Sequence, residues 1–315
     1  MRKFIIRTLF FVLPPLLILI AVEVAIRNTP NTFSRKAAYL KENLSEIQVL
    51  CLGSSHSQDG IDPALFHVKG ANLAFGGQDL HVDSALFFTY VHQMPRLRYV
   101  VLELDYHTLE TRMESDNYRI PWYYIYHGIE LQKLPASKKV SLFFSSPTFF
   151  TGYLFLMTQP RMRQLQINEH GFITNDHDGY FKKRHFDSSS INQEFHQRLG
   201  ARHGEEDLRV YAENIRKLNG MLSYCRDNNI KVLVITTPAY QTYRQNQKPD
   251  KRGRVQCYAD SLRLLPFVTY RNFEAAPEFL ITDFKNDDHL SREGSIKLTQ
   301  LLDQELQAAD EIRNP

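Results

Sequence analysis

Two distant stretches hold residues whose types could do chemistry together. Residues 47–62 read IQVLCLGSSHSQDGID, an apolar run that breaks at Gly53 into Ser54-Ser55-His56-Ser57. Residues 281–294 read ITDFKNDDHLSREG and hold His289 beside Asp283, Asn286, Asp287 and Asp288. Serine is a weak nucleophile until a neighbouring imidazole takes its proton. The imidazole in turn needs an acceptor on its other nitrogen to keep the right tautomer. A serine, a histidine and an acid from two loops therefore form a nucleophile, base and orienter set, with Ser55 and His289 in the first two roles. The Ser55 amide also suits a developing oxyanion. The same serines suit helix N-caps. His56 and His107 read first as surface or capping histidines, and Asp59 and Asp62 as residues that cap or solvate the next helix.

These residues need a scaffold that delivers them to one edge. A short apolar run stopped by Gly and small polar residues predicts a buried strand ending in a tight turn. In open parallel sheets, ligands bind beyond the carboxyl ends of strands. Further strands are expected at 71–78 (ANLAFGGQ), 98–104 (RYVVLEL), 230–236 (IKVLVIT) and 268–273. Helices are expected at 78–93, 205–229, 254–265 and 291–309. The second is marked by Leu208, Tyr211, Ile215, Leu218, Leu222 and Cys225 at i+3 and i+4 spacing, and the last has Ser291 as its N-cap. Strand, turn, strand, helix, strand at the start predicts βαβ units and a parallel sheet. His289 then falls just before the last helix, on the same edge as Ser55.

Residues 105–204 break the pattern with a concentration of aromatics, among them Tyr118, Trp122, Tyr123, Phe149 and Phe150. They read as a long insertion over the sheet edge, mostly core, with some rings free to line a cleft. The run 140–157 is apolar enough to raise a second membrane contact.

The N-terminus is basic at 1–3 and then apolar through 4–25, FIIRTLFFVLPPLLILIAVEVA, which reaches bilayer length. The residues 23–25, Glu-Val-Ala, make a poor signal-cleavage site, so an uncleaved anchor is expected over a signal peptide. Positive charge at 1–3 keeps that end in the cytoplasm and exports the rest. Residues 28–43 read as a polar linker. Hydrophobic content of 43% and charged content of 23% fit a globular domain with a proper core. The net charge of +3 and the lack of a basic, aromatic-interleaved block argue against nucleic acid. Cys51, Cys225 and Cys257 show no CxxC spacing, and an odd count argues against a full disulfide framework. No metal-type or nucleotide-type motif is present, so neither metal nor cofactor is expected.

Taken together these blocks resemble the SGNH (GDSL-like) hydrolases, above all the membrane-anchored bacterial branch similar to the teichoic-acid D-alanyl transfer protein and alginate acetylation proteins. The strand and Gly-Ser-Ser at 49–57 resemble the family's first block, 72–78 its oxyanion-glycine block, and 286–294 its last block; the likeness spans about 46–310 except the insertion. It implies an α/β, flavodoxin-like three-layer sandwich with a mostly parallel five-stranded sheet. It implies Ser55 as nucleophile, His289 as base, and Gly76 or Gly77 beside Ser55 as oxyanion donors. Two departures stand out. Asn286 occupies the position of the family's acid, leaving Asp287 or Asp283 as alternatives. The family's Gly-x-Asn-Asp block is replaced by Glu103-Leu104-Asp105-Tyr106-His107. The implied activity is a membrane-anchored, extracytoplasmic serine acyl-ester hydrolase or O-acyltransferase acting on an acylated glycan, with a membrane acyl-donor protein as possible partner. A glycan- or partner-binding module that keeps the fold without the chemistry is the alternative.

Overall fold

The computed structural model describes residues 1–29, 31–157, 166–175, 179–192 and 206–313. The apolar runs form β1 (Val49–Leu52), β3 (Tyr99–Glu103) and β4 (Lys231–Thr236), with β2 (Gly70–Asn72) and β5 (Val268–Asn272) beyond them. All four pairings are parallel, in the order β2-β1-β3-β4-β5. Leu50 stands opposite Ala71 on one side and Val100 on the other. Parallel strands covered on both faces read as continuous hydrophobic runs. Here successive residues alternate between two apolar clusters. Leu50, Leu52, Val100, Leu102, Val232 and Val234 join one, and Val49, Cys51, Val101, Leu233 and Ile235 the other. The first cluster includes residues of α4 (Leu80–Tyr90) and of the helices Leu208–Asp227 and Pro249–Leu262. The second takes Leu298, Leu302 and Leu306 of the helix Arg292–Arg313. The protein is thus α/β, with a five-stranded, all-parallel sheet.

The helix Arg2–Asn28 (α1) is long and apolar enough to cross a membrane. Among the described residues, only its end docks on the rest of the chain. Ile26 is buried, and Glu23 accepts hydrogen bonds from Ser141 Oγ (2.8 Å), Leu142 N (3.0 Å) and Phe143 N (3.1 Å).

The expected linker at 28–43 is instead largely helical. α2 (Thr32–Asn43) starts at a capping box between Asn31 and Ser34 and buries Phe33, Lys36, Tyr39 and Leu40. Those positions recur at i+3 and i+4, a stripe hidden by the segment's polar composition. The expected strand at 71–78 pairs only over Gly70–Asn72. Leu73 N and Phe75 N still bond Cys51 O and Gly53 O, and so lead Gly76-Gly77 to the end of β1.

Within 105–204, α5 (Ile120–His127) buries Trp122 and Tyr123 in the first cluster, which Leu142 and Phe150 also join. Parts of that stretch, including most of the loop at 175–179, lie outside the described residues. Cys225 and Cys257 are not bridged; the first is buried and the second exposed.

Candidate active site

The turn after β1 depends on Gly53. Its φ of +145° lies where side chains are rarely tolerated, and a Cβ there would stand 2.6 Å from Glu103 Oε2 and 2.7 Å from Ser57 Oγ. The space is taken by the Glu103 carboxylate at the end of β3. It accepts from Ser54 N (3.0 Å), Ser54 Oγ (2.5 Å) and Ser57 N (3.0 Å). These bonds satisfy orphan donors of the short helix α3 (Ser55–Gly60). Ser55 is its first residue and is half-buried. Among the described residues, neither its Oγ nor its amide has a hydrogen-bond partner.

The two glycines differ. Gly76 N donates to Gln58 Oε1 at 2.8 Å, so its expected part in an oxyanion hole is corrected: a neighbouring side chain already occupies the donor. Gly77 is exposed with φ +73°, and its amide bonds no described residue. A Cβ on Gly76 would lie 3.7 Å from Ser55 Cβ, which puts the glycines beside the serine.

His289 faces the same edge. Its ring centroid is 5.1 Å from that of His56, the residue after Ser55. Nδ1 of His289 lies 2.8 Å from Asp288 Oδ1 and 3.1 Å from Asn286 Oδ1, while Nε2 bonds no described residue. The carboxylate at the imidazole is that of Asp288 and not of the expected Asp287. Asp287 is held by the segment after β4: its carboxylate accepts from Thr242 Oγ1 at 2.6 Å and its carbonyl from Tyr240 N at 2.9 Å. Asn286 does stand at the imidazole, and it also accepts from His289 N at 2.8 Å. Asp283 is elsewhere, paired with Lys297 at 2.5 Å.

Behind His289 runs a buried chain of charge. Asp288 Oδ2 is 3.5 Å from His56 Nε2, and His56 Nδ1 is 2.5 Å from Asp105 Oδ2. Asp105 is fixed by Thr237 N (2.7 Å) and Thr237 Oγ1 (2.5 Å) at the end of β4. A second branch runs from His107 Nε2 to Ser54 Oγ (3.1 Å) and on to Glu103. Burial alone would push the His56 pKa down, but the hydrogen bonds to Asp105 and Asp288 hold it well above the usual imidazole range. Burial would raise Asp288, yet His289 and His56 hold its carboxyl well below the usual carboxylate range. Burial, with the charge of Asp105 added, raises Glu103. Asp83 is pushed well up by burial while it accepts from Gly53 N (3.0 Å) and Gln78 Nε2 (2.6 Å).

His56, Glu103, Asp105 and His107 bring ligand-type atoms within 4.8 Å of one another, as do His56, Asp288 and His289. These are the residues that would hold a divalent cation. In this arrangement they bond one another, Ser54 and Thr237.

His56 and His107, expected as surface or capping histidines, are both buried. Glu103, Asp105 and Thr237 carry no expectation of a part in the site. A signal was available: charged residues at alternate positions directly after an apolar strand must face something polar when buried. Asp59 pairs with Lys285 at 2.5 Å, and Asp62 accepts from Ala64 N and from Arg292.

No family model matches the chain, and no curated protein matches it. Among solved structures it is similar to one from Streptococcus pneumonia described as a platelet activating factor. The identity is 11% over 94% of this chain and 98% of that one, with a TM-score of 0.38. A likeness at that score carries no argument about fold or activity.

Proposed function

We propose that the protein is a membrane-anchored, extracytoplasmic serine acyl-ester hydrolase or O-acyltransferase of SGNH-like type, acting on an acylated cell-surface glycan. The observation that carries this reading is the His289 ring, held at Nδ1 by Asp288 with Nε2 left open on the edge where Ser55 starts a helix. In that reading Ser55 Oγ attacks the ester carbonyl and passes its proton to His289 Nε2. Asp288 keeps the tautomer and balances the imidazolium. The open amides of Ser55 and Gly77 take the oxyanion. The alcohol leaves with the proton from His289, and water or a sugar hydroxyl then releases the acyl group by the reverse path.

The strand order β2-β1-β3-β4-β5 is that of flavodoxin-like doubly wound sheets, and β1 and β3 flank the point where the order reverses. The apolar α1 supports a single-pass anchor in the cytoplasmic membrane, with the aromatic 105–204 stretch as an insertion beside the site. A membrane protein that hands over the acyl group fits this placement.

A second reading, a binding module without turnover, is favoured by one observation: Ser55 Oγ has no hydrogen bond to His289. Apo catalytic contacts often tighten only with substrate. Labelling with a fluorophosphonate separates the two. The proposal expects labelling of the wild type, lost in Ser55→Ala and His289→Ala. Folded wild type that stays unlabelled sinks the enzyme reading in favour of the module.

A further inference from the structure

Beside Ser55 stands a cation that the chemistry above does not use. Arg119, the residue before α5, lays its guanidinium across Gly76 and Gly77. Nη2 is 3.5 Å and Cζ 3.9 Å from the position of a Cβ on Gly76, the same point that Ser55 Cβ approaches to 3.7 Å. Nη1 is 3.6 Å from the corresponding position on Gly77. Two glycines in a row therefore leave a space walled by the serine on one side and the guanidinium on the other.

Arg119 is half-buried, yet among the described residues its guanidinium has no carboxylate and no hydrogen-bond acceptor. Its side-chain contact is the Tyr118 ring, 4.6 Å from Cζ. Several other partly buried cations are paired within the fold, among them Arg254 with Glu110 (2.7 Å), Arg292 with Asp62 (2.7 Å) and Lys285 with Asp59 (2.5 Å). The nearby carboxylates are engaged elsewhere: Asp79 with Val82 N and Met113 N, and Asp83 with Gly53 N and Gln78. A guanidinium presents five donors in a planar fork that matches a carboxylate or phosphate in two parallel hydrogen bonds. Held over glycine backbone with the fork unfilled, it is prepared for an anion from outside the chain.

We infer that Arg119 is the anchor of an anion subsite beside Ser55, so that the preferred ester carries a carboxylate or phosphate a few bonds from its acyl carbonyl. The subsite is distinct from the oxyanion donors, which are backbone amides. In its catalytic form the inference rests on the proposed serine chemistry; as a binding site it does not.

The test therefore has two arms on the full-length protein in detergent. In the first, the Ser55→Ala variant is titrated calorimetrically with D-glucuronate, inorganic phosphate and D-glucose. At least one anion should bind, glucose should bind at least tenfold more weakly than that anion, and Arg119→Gln should weaken the anion about tenfold or more. The tighter of the two anions tells carboxylate from phosphate. Binding of neither anion, or anion binding indifferent to Arg119→Gln, overturns the subsite whether or not the protein is an enzyme. In the second arm, kcat/KM is compared for an acetylated uronic acid, an acetylated sugar phosphate and the acetylated neutral sugar. Arg119→Gln should cut the charged-to-neutral ratio at least tenfold for the matching anion, and Arg119→Lys should recover part of it. Equal losses on all three esters would move Arg119 to the oxyanion and overturn the inference. Absence of turnover by the wild type, with arginine-dependent anion binding in the first arm, overturns the enzyme reading alone.

Discussion

The carboxyl edge of the sheet has two sides that differ in how their polar groups are used. At the ends of β3 and β4, Glu103, Asp105, His107 and Thr237 are buried; Glu103 and His107 bond Ser54, and Asp105 bonds His56 and Thr237, at 2.5–3.1 Å. Across the cleft, Gly77 N, Ser55 N, Ser55 Oγ and the Arg119 guanidinium have no hydrogen-bond partner among the described residues. Buried polar groups must be satisfied inside the fold, whereas groups meant for a ligand are held open until it arrives. On the proposed reading the closed side positions and the open side binds. The two should respond to mutation in opposite ways, one in stability and the other in function.

The largest effect expected lies on the open side. Ser55→Ala should lower ester turnover on the order of a thousandfold or more while leaving the melting temperature nearly unchanged, because Ser55 Oγ has no hydrogen-bond partner among the described residues. Acetyl-release assays and a thermal scan on the same samples check it, and a large loss of stability would erase the contrast.

On the closed side, Glu103→Ala should cost about 3 kcal/mol in denaturant unfolding, since it strands Ser54 N, Ser54 Oγ and Ser57 N away from water. A cost near zero would mean that this network does not hold the turn.

Titration sharpens the comparison. Lys36 lies beneath the open side. It donates to Ala74 O at 2.6 Å and rests on the Phe75 ring, and burial lowers its pKa to about 7. A lowered folded pKa means that the unfolded chain binds more protons between about 7 and the unfolded lysine value, so this group makes stability rise with pH across that window. His56, whose folded pKa is raised, acts the other way. Its contribution is complete below about pH 6.5 and is lost as pH climbs toward the raised value. Lys36→Met should remove the rising component and leave stability falling above neutral pH. Urea midpoints from pH 6 to 10 for both proteins measure this, and parallel curves would refute it.

The smallest change is expected from Arg119→Gln, within about 0.5 kcal/mol in stability, because no ion pair among the described residues is lost. A destabilisation above about 1 kcal/mol would show that the guanidinium holds the fold rather than a ligand.

Much of this scaffold was legible in residue order. The runs at 49–52, 99–103 and 231–236 are apolar without interruption, which is what a doubly covered parallel strand requires. Gly53-Ser54-Ser55 announced a turn because glycine and serine end strands and start helices. Spacing by analogy points to Asn286 or Asp287, whereas the carboxylate at the imidazole belongs to Asp288, the residue next to His289. The stripe of α2 is masked by the segment's polar composition.

Periodicity, turn residues and the N-terminal apolar run are local properties, and local sterics and solvation suffice to write the strands, the helices and the membrane-length helix into the chain. Which acid meets His289, that His56 lies buried between Asp105 and Asp288, and that the Arg119 guanidinium has no hydrogen-bond partner among the described residues were decided only in the folded structure. Each of these depends on groups far apart in sequence being brought together, Asp105 with Thr237 across 132 residues and His56 with Asp288 across more. In that dry setting, pairing and burial rather than residue type set the charge of each group.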